Sequence, residues 1–449
     1  MALGKRRPAR SPGEGRRGAK PPTAEVARQE AGEGLDALEV LRLSHDGRGI
    51  ARDAQGKTIF IDRALPGERV DVRRHRQRRR FDEAHPVQVA RPSAARVVPA
   101  CVHFEVCGGC SLQHLEISAQ REHKSGVLVE HLHRARLDVP AVELLAGEAY
   151  GYRRRARLGV KLDGEGRLRF GFRRRQSERL FDIEQCPVLL PGLEVLLAPL
   201  RECLQRLEAP RQLGHIELIA GDDAIALKLR QLKPVAADES RWRVFAEAHD
   251  LVLIFDRGEP SALPTLHYRL DVAGRSLAMG FQPGDFLQVN GAVNRQLVGA
   301  ALDWLALPAG ARLLDLFAGV GNFGLPFAAT GVRVAAIEGS AAMVERVSAN
   351  ARTLGLGIST RAMDLGQAPA VEDVDAVLLD PPRDGAQNVC KALASAGPER
   401  VLYVSCDPAT LARDAALLVA GGYRLVRIAL VDMFPQTPHL ESLSLFERR

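Results

Sequence analysis

Cys406 stands where a chain can present a thiol for chemistry. It follows the β-type run that begins at Leu402, and Pro408, two residues later, ends any strand there. We therefore expect Cys406 at the exposed tip of a strand, where it can act as a nucleophile. Upstream, another apolar run ends in Asp380-Pro-Pro-Arg383. Two such tips side by side would bring a thiol and a carboxylate to the rim of one active site.

Four further cysteines have the spacing of metal ligands. Cys101, Cys107 and Cys110 share a short stretch that contains two adjacent glycines, and Cys186 follows much later, in front of a proline. The glycines let the backbone fold tightly, with its N–H groups aimed at bound sulfur. Four thiolates suit either a [4Fe-4S] cluster or a tetrahedral zinc ion, and the spacing alone does not separate the two.

The elements that position Cys406 begin with a glycine-rich turn. A strand, this turn and the start of a helix are predicted over residues 312–325, and the turn matches G-x-G-x-x-G. A dinucleotide site is one interpretation, but Asp315 lies just before the turn, where its carboxylate would repel phosphate. An acid there suits a cofactor with a cationic amino-acid group. The next strand ends in Glu338, which can accept hydrogen bonds from ribose hydroxyls, and Asp364 follows the strand after it.

These features resemble the class I S-adenosylmethionine-dependent methyltransferases, over roughly residues 282–449. The resemblance implies a C-terminal α/β, Rossmann-like domain over 285–449, with right-handed βαβ crossovers and a mostly parallel sheet. In such enzymes, Asp-Pro-Pro followed by Tyr or Phe serves the methylation of exocyclic nitrogen. Here Arg383 follows, with a cysteine tip beside it. This combination favours a carbon target.

C5 of uracil is a poor nucleophile and must be activated by a thiol before it can be methylated. A thiolate that adds to C6 converts the ring to an enolate, whose C5 can attack a sulfonium methyl group. A base must then remove the C5 proton so that the cysteine is eliminated. His439 and Glu441 are candidates for this base, because residues two apart on an extended segment face the same way.

Several motifs occur in the order Gln288-Val-Asn290, Asp315-Leu-Phe-Ala-Gly319, Asp380-Pro-Pro-Arg383, Ser405-Cys-Asp-Pro408 and His439-Leu-Glu-Ser442. In this order they resemble the RNA uracil-C5 methyltransferase family. The resemblance implies that Cys406 is the nucleophile and Glu441 the base. It assigns cofactor binding to Gln288, Phe317, Asn322, Glu338, Asp364 and Asp380, although the chain around Asp364 matches the family pattern less well. For Gln288 and Asp380, contact with the target uracil is an equal alternative.

The family resemblance also bears on the clustered cysteines. One branch of the family carries a cysteine set of this spacing with a [4Fe-4S] cluster, and that branch acts on 23S ribosomal RNA. The resemblance therefore implies 23S rRNA as the partner and metal ligation by Cys101, Cys107, Cys110 and Cys186, with zinc as the alternative. Because the set is remote in sequence from Cys406, we expect it to hold the central domain in shape for RNA. Cys390 is expected to be an inert buried residue.

The N-terminal part of the chain is basic. Residues 1–34, which have few aliphatic side chains, are predicted to be a disordered tail. Over residues 35–93, short alternating runs predict an OB-like β-barrel, and the family resemblance implies a TRAM RNA-binding domain there. Residues 73–80 hold six arginines and a histidine. They form either a solvated loop or the rim of a nucleic-acid groove.

A central, mainly antiparallel β domain with the cysteine site is predicted over residues 94–284. A helix over about 114–137 is a candidate to pack on the methyltransferase domain. The arginine triplets 153–155 and 173–175 indicate phosphate contacts. The histidines are expected to be ordinary polar residues, namely His103, His114, His131 and His133.

Composition limits the remaining choices. The chain has 449 residues, 46% of them hydrophobic, and a formal net charge of +7, which is typical of a globular protein of several domains. It shows no signal-peptide core and no apolar stretch long enough to span a bilayer, so we expect a cytoplasmic protein with no membrane association and no obligate protein partner.

Alternative functions stay open. A tRNA uracil-C5 methyltransferase is one, although such enzymes usually lack the barrel and the cysteine set. A noncatalytic RNA-binding TRAM protein is another, which the intact catalytic motifs oppose. A TRAM-containing radical enzyme would need C-x3-C-x2-C, whereas the cysteine spacing here is five and then two.

Overall fold

The architecture of this computed structural model covers residues 36–258, 263–367, 369–371 and 373–448. The predicted tail, residues 1–34, lies outside this part of the chain. Three large sheets and one β-hairpin organise the described residues. Within the same ranges no helix is both long and apolar enough to cross a membrane.

The first sheet is built from short strands in the N-terminal region. They are β1 (Asp36–Glu39), β2 (Arg42–Leu43), β3 (Gly49–Arg52), β4 (Thr58–Ile61), β5 (Arg69–Gln77) and β6 (Phe81–Arg91). Their order in the sheet is β1-β5-β6-β4-β3-β2. In β5, successive side chains alternate between the two faces of the sheet, so that Val70 and Val72 are buried and Arg69 and Arg73 are exposed. The arginine run 73–80 therefore lies along the end of β5 and its turn into β6, mostly exposed.

The next part of the chain forms a second sheet with flanking helices. Its elements are α1 (Ile117–Arg134), β7 (Val142–Leu145), β8 (Arg155–Leu162), β9 (Leu168–Gly171), α2 (Pro191–Glu194), α3 (Leu197–Gln205), a 3-10 turn (Pro210–Gln212), β10 (Leu213–Ala220), β11 (Ile225–Gln231), α4 (Ala236–Ala248) and β12 (Leu251–Asp256). The sheet order is β12-β11-β10-β8-β9. Two antiparallel hairpins, β8–β9 and β10–β11, turn at residues 163–166 and 221–223, in agreement with the mainly antiparallel domain predicted here. Strand β12 pairs in parallel with β11, so this sheet is not wholly antiparallel.

The C-terminal part contains a hairpin and the largest sheet. Its elements are β13 (Leu266–Val272), β14 (Arg275–Phe281), α5 (Gly291–Leu305), β15 (Arg312–Leu316), α6 (Gly324–Ala329), β16 (Arg333–Glu338), α7 (Ala341–Leu354), β17 (Ile358–Ala362), β18 (Ala376–Leu379), α8 (Gln387–Ala396), β19 (Arg400–Ser405), α9 (Pro408–Ala420), β20 (Tyr423–Val431) and β21 (Glu441–Arg448). The large sheet has the order β17-β16-β15-β18-β19-β21-β20-β7. Strands β15 to β19 pair in parallel, and β21 runs antiparallel to β19 and β20. The predicted α/β sheet is thus confirmed.

The central strands β15, β18 and β19 of the large sheet are buried on both faces, which is why they read as continuous apolar runs, whereas the edge strand β17 is largely exposed. In β15, Leu313 belongs to the apolar cluster that contains Leu297 of α5. Its neighbour Leu314 belongs to the cluster on the other face, with Leu393 of α8. Helices on both sides therefore fix the sheet, and its carboxyl edge remains open for a site.

Helix α1 and strand β7 precede this sheet in sequence but pack with it. Strand β7 pairs in parallel with β20 at the edge of the sheet. Leu128 and Leu132 of α1 are fully buried in the cluster that also contains Leu418 and Ile428. Side chains of α1 are therefore in position to contact the C-terminal end of the chain.

Candidate active site

Strand register brings Cys406 and Glu441 together. Strands β19 and β21 are antiparallel, with Ser405 opposite Ser442. The next position in this register sets Cys406 against Glu441. Asp407 caps α9 by accepting hydrogen bonds from two backbone N–H groups of its first turn. The thiol therefore lies at the predicted strand tip, held between the end of β19 and the start of α9.

Asp380 reaches the same edge of the sheet. It directly follows β18, which lies parallel to β19, so the two strand ends are neighbours as predicted. Burial raises the pKa of Cys406 to about 11, and the nearby Glu441 and Asp380 add to this effect, whereas Arg383 opposes it. Burial also raises the pKa of Asp380 to about 7. Burial and the two acids therefore favour the protonated thiol, and Arg383 favours the thiolate.

Glu441 has the properties of a proton acceptor. It is 6% exposed, and its Oε2 has no hydrogen-bond partner among the described residues. Burial raises the pKa of Glu441 to about 8, with a further contribution from Asp380, while Lys124 of α1 lowers it. The other candidate base, His439, packs its ring on Phe434 at 5.6 Å, and burial lowers its pKa. A carboxyl that titrates near neutral pH and keeps one oxygen uncommitted is suited to take a proton.

A cavity of about 700 Å³ lies at the carboxyl edge of the sheet. Its walls include all the residues predicted to bind the cofactor, namely Gln288, Phe317, Asn322, Glu338, Asp364 and Asp380. Cys406 and Glu441 line it too. Ligands of open α/β sheets bind at this edge. Carboxylates around such a cavity fit a ligand that carries hydroxyl groups and a positive charge.

The glycine-rich turn after β15 is held by hydrogen bonds to two acids. Phe317 has φ of +64°, a left-handed conformation that is costly for a bulky side chain. Glu338 accepts the N–H of Gly319 at 3.0 Å. Asp315 points into the protein, where it is 1% exposed and accepts the N–H of Gly324 at 2.9 Å. Asp315 therefore supports the turn, rather than facing the cationic part of a ligand as the sequence suggested.

Asn322 is held by two residues that the sequence reasoning missed. Its Oδ1 accepts hydrogen bonds from the Tyr268 hydroxyl and the Asn294 amide, each at 2.9 Å. Its own amide donates to Asn294 Oδ1 at 2.9 Å. Asn294 could have been predicted from the sequence, because it lies one helical turn after Asn290. Nothing in the local sequence around Tyr268 on β13 pointed to this contact. This network fixes the side chain of Asn322 in the cavity wall.

A second cavity, of about 620 Å³, meets the first one at the nucleophile. Phe286, Arg383, Cys406 and Glu441 line both cavities. The second cavity is also lined by the predicted metal ligands Cys101, Cys107, Cys110 and Cys186. The cysteine set is thus remote from Cys406 in sequence but shares a cavity with it.

Polar groups of the protein surround the four clustered thiols. The backbone N–H of Gly109 donates to Cys107 Sγ at 3.3 Å. The backbone N–H groups of His103 and Val188 and the side chain of Gln113 lower the pKa of Cys101, Cys186 and Cys110, respectively. Burial raises the pKa of all four thiols, and neighbouring thiols raise it further for three of them. In the part of the chain that the structure describes, no three His, Cys, Asp or Glu side chains surround a single ion position. The thiols surround a shared space instead, with N–H donors aimed at sulfur.

The arginine triplets divide into exposed and structural members. Arg153 lines the cysteine cavity, whereas Arg154 is buried and pairs with an aspartate at 3.1 Å. In the triplet 173–175, Arg175 donates to the carbonyl of Cys110 at 2.8 Å, and the other two line a surface cavity. Arg154 and Arg175 therefore stabilise the central region instead of offering their charge to phosphate.

Of the residues expected to be inert, Cys390 and His103 have ordinary packing environments, whereas neither buried ring nitrogen of His114 has a hydrogen-bond partner among the described residues. Cys390 is fully buried on α8. His103 accepts the backbone N–H of Glu184 at 3.0 Å. His114 is buried, with its ring centroid 5.6 Å from that of Phe104, and burial lowers its pKa to about 3.

Models of two protein families match this chain. The model described as tRNA (Uracil-5-)-methyltransferase matches residues 116–356 and 370–449. The TRAM domain model matches residues 33–87. Residues 88–115, which contain Cys101, Cys107 and Cys110, lie between the two matches, and residues 357–369 are also unmatched.

Two relatives and one solved structure are similar along most of the chain. A protein named 23S rRNA (uracil(1939)-C(5))-methyltransferase RlmD from Halomonas elongata is 50% identical, over 99% of this chain and 96% of its own length. The protein of the same name from Chromohalobacter salexigens is 52% identical, over 99% and 95%. The Pyrococcus abyssi tRNA (uracil-54, C5)-methyltransferase in complex with S-adenosyl-L-homocysteine has a TM-score of 0.73 and 23% identity, over 92% of this chain and all of that one. This last likeness shows the fold.

Proposed function

The chain belongs to the tRNA (uracil-5-)-methyltransferase family, and we propose that it methylates C5 of a uridine in 23S ribosomal RNA with S-adenosylmethionine as methyl donor. Relatives at 50% and 52% identity, matched over 99% of the chain, are named for this activity. The match includes the TRAM region and the cysteine-bearing region. A tRNA substrate is the alternative, and the similarity along the whole chain favours ribosomal RNA.

The meeting of two cavities at Cys406 and Glu441 is the observation that carries this proposal. One cavity has the walls expected for the methyl donor, and the other opens past Arg153 and Arg383. A uracil that enters from the second cavity would meet the methyl group of the donor at Cys406. The base must leave its stack to get there, because the thiol attacks one face of the ring at C6.

In the first step, the Cys406 thiolate adds to C6 of the uracil. Arg383 favours the thiolate, in opposition to burial and to the carboxyls of Glu441 and Asp380. The new S–C6 bond pushes the electrons of the C5–C6 double bond toward O4. C5 of the resulting enolate then takes the methyl group, and the donor leaves as the neutral thioether. The adduct at this stage carries both the methyl group and the original hydrogen on C5.

In the second step, Glu441 removes the C5 proton. The electrons of the C5–H bond restore the C5–C6 double bond, and the S–C6 bond breaks to release Cys406 as a thiolate. A carboxylate with pKa near 8 is a strong enough base for this step and is partly ionised at neutral pH. Its uncommitted Oε2 is the atom that accepts the proton. Glu441 then releases this proton to solvent as the product leaves, which restores the starting enzyme.

The walls of the first cavity supply the contacts for S-adenosylmethionine. Glu338 would accept hydrogen bonds from the ribose hydroxyls of the donor. Asp364, which lines the same cavity, would contact the adenine base or the amino-acid end of the donor. Phe317 supplies an apolar surface, and Asn322 is held in place by its amide network. We assign Gln288 and Asp380 to the boundary between donor and uracil, within reach of either.

For Cys101, Cys107, Cys110 and Cys186 we propose a [4Fe-4S] cluster. Cysteine thiolates hold such clusters, and N–H donors to sulfur are part of their environment. Zinc is the alternative, but it requires the four sulfurs to gather around one point at about 2.3 Å. When bound, the cluster would tie the loop 101–110 to Cys186 and thereby fix one wall of the RNA-side cavity.

The N-terminal sheet and the exposed arginines supply contacts to the RNA backbone. Arg79 and Arg80 in the β5–β6 turn are exposed, as is Arg173 next to the cysteine loop. Such contacts position an RNA and make its binding sensitive to salt. An rRNA substrate places the activity in the cytoplasm, and the mechanism requires no protein partner. A noncatalytic RNA-binding role would leave the arrangement of Cys406, Glu441 and Asp380 without a purpose.

Mapping of 5-methyluridine in 23S rRNA tests the substrate. Cells that lack the protein should lose the modification at one or more positions, and the purified protein should restore it on that RNA with S-adenosylmethionine. Bulk tRNA from cells that lack tRNA 5-methyluridine serves as the competing substrate. Methylation of tRNA with no methylation of 23S rRNA would reject the proposal in favour of the alternative.

A further inference from the structure

We propose that Lys124 is a positioning residue for Glu441: it fixes the segment that carries this base and favours the ionised form of its carboxyl, and so controls proton removal from C5. The inference rests on the proposed function and adds to it a residue from outside the methyltransferase motifs. Lys124 lies on α1, far from Glu441 in the sequence.

Lys124 is an ammonium group buried in the protein interior. Its side chain is 2% exposed, and Nζ donates to Asp432 Oδ1 at 2.7 Å and to the carbonyl of Phe434 at 2.9 Å. Asp432 is also buried, and its Oδ2 accepts a hydrogen bond from Nε of a second cation, Arg121, at 3.0 Å. Burying a charge is costly even when it is paired, so a mere tether between helix and sheet would not need an ionised lysine here.

The contacts of Lys124 lie at the base of the segment that leads to Glu441. Asp432 follows Val431, and Val431 is the ladder partner of Glu441 between β20 and β21. Residues 432–440 connect these two strands, and Lys124 holds the connection at its first and third residues. A shift of this corner would move Glu441 relative to Cys406.

The charges that face Glu441 come from several elements. Asp380 follows β18, Cys406 ends β19, His439 lies two residues before Glu441, and Lys124 comes from α1. Of these, Asp380 raises the pKa of Glu441 and Lys124 lowers it. Arg383 acts on Cys406 and His439. Lys124 therefore opposes, but does not cancel, the effect of burial on the pKa of the base.

Loss of the charge can be separated from loss of the tether. Lys124→Met keeps the bulk of the stem but removes the ammonium. Arg121→Met removes the other cation on Asp432 and leaves Lys124 in place, so it is the matched control. Lys124→Arg keeps a positive charge at the position, and the double variant Lys124→Met/Asp432→Asn also removes the buried carboxylate that would otherwise lose one of its two cations.

Tritium release from 23S rRNA labelled at C5 of uridine reports the proton-removal step directly. We would measure its single-turnover rate against pH for the full-length protein and each variant. Lys124→Met and the double variant should shift the rising limb of the pH–rate profile to higher pH, so that the single-turnover rate falls at neutral pH and recovers at higher pH. Lys124→Arg and Arg121→Met should keep the midpoint of the rising limb of the pH–rate profile within a few tenths of a pH unit of the parent value.

The outcomes separate this inference from the proposed function. A parent protein that releases no tritium from 23S rRNA would reject the function itself. A parent protein that releases tritium, with folded lysine variants whose rate falls equally at every pH, would show that Lys124 is a structural tether and overturn the inference. A shift of the limb in Arg121→Met as large as that in Lys124→Met would overturn it too, because the effect would then not be specific to the charge of Lys124.

Discussion

Gln120 and Gln436 bind each other through two hydrogen bonds, although 316 residues separate them in the chain. The amide of Gln120 donates to Gln436 Oε1 at 2.9 Å, and the backbone N–H of Gln436 donates to Gln120 Oε1 at 3.0 Å. The carbonyl of Gln436 accepts the N–H groups of the two residues that follow Cys110. The segment before Glu441 is therefore held both by α1 and by the cysteine loop.

Replacing Gln120 by Ala should weaken this connection. Both glutamines are buried, so the change leaves the backbone N–H and the side chain of Gln436 without their partners, at a cost of about 1–3 kcal/mol in the free energy of unfolding. Urea denaturation measures the loss. Glu122→Ala, at an exposed position of the same helix, is the control and should change stability by less than about 0.5 kcal/mol. Equal effects of the two changes would contradict the assigned role of Gln120.

Cys406→Ala should abolish methylation while the fold persists, because the thiol is half-buried at the end of a strand and supports no packing cluster. RNA with 5-fluorouridine at the target should trap the parent protein as a covalent adduct, since fluorine at C5 cannot leave as a proton. Denaturing gel electrophoresis detects the adduct. Cys203→Ala, at a thiol on α3, should form it normally. Methylation by Cys406→Ala would reject the mechanism.

Glu441→Gln should separate the two steps of the reaction. Thiol addition and methyl transfer do not require the carboxylate, whereas elimination does, so the variant should accumulate a methylated adduct with ordinary uridine. Rapid quench followed by gel analysis should show the adduct appearing faster than free product by at least about a hundredfold. Release of product at the parent rate would assign the base elsewhere, with His439 as the next candidate.

The contribution of three buried carboxyls to stability should fall as pH rises, because these groups take up protons on folding. The pKa of Glu441 is raised from 4.5 to about 8, and those of Asp315 and Asp380 are raised as well. The neutral form is favoured in the folded state, so its contribution is complete below pH 4.5 and is lost as pH rises toward 8. Glu441→Gln removes one such group and should be more stable than the parent at pH 8 by at least about 1 kcal/mol. A difference that does not shrink from pH 8 to pH 5 would contradict this origin.

Cys110→Ser should lower the iron content of protein purified without oxygen. Loss of one of four thiolates opens the proposed cluster, and the brown absorbance should fall with the iron. Cys203→Ser, outside the set, should leave both unchanged. Elemental analysis decides the metal: a colourless parent protein that is active and contains one zinc would reject the cluster.

Most candidate catalytic and cofactor-binding residues of this chain can be predicted from local sequence patterns. Apolar runs that end in Asp380 and Cys406 predict strand tips, because such runs form buried parallel strands and the prolines after them cannot continue a ladder. The glycine-rich turn after β15 and the acid at the end of β16 follow the same local logic. Family motifs added the roles of these residues, and the walls of the first cavity contain each of them.

Contacts between distant segments were decided by the tertiary structure alone. Local sequence did not place Asp315 in contact with Gly324, set Asn294 and Tyr268 around Asn322, or bury Arg154 away from phosphate. It also left the cysteine set and Cys406 apart, although they line one cavity. Such contacts depend on how whole elements pack, and hydrophobic periodicity records which face of a helix is buried but not what it meets. Lys124 is the clearest case. From sequence alone, a lysine on a helix is expected to be exposed to solvent, whereas here the sheet and the segment before Glu441 bury it.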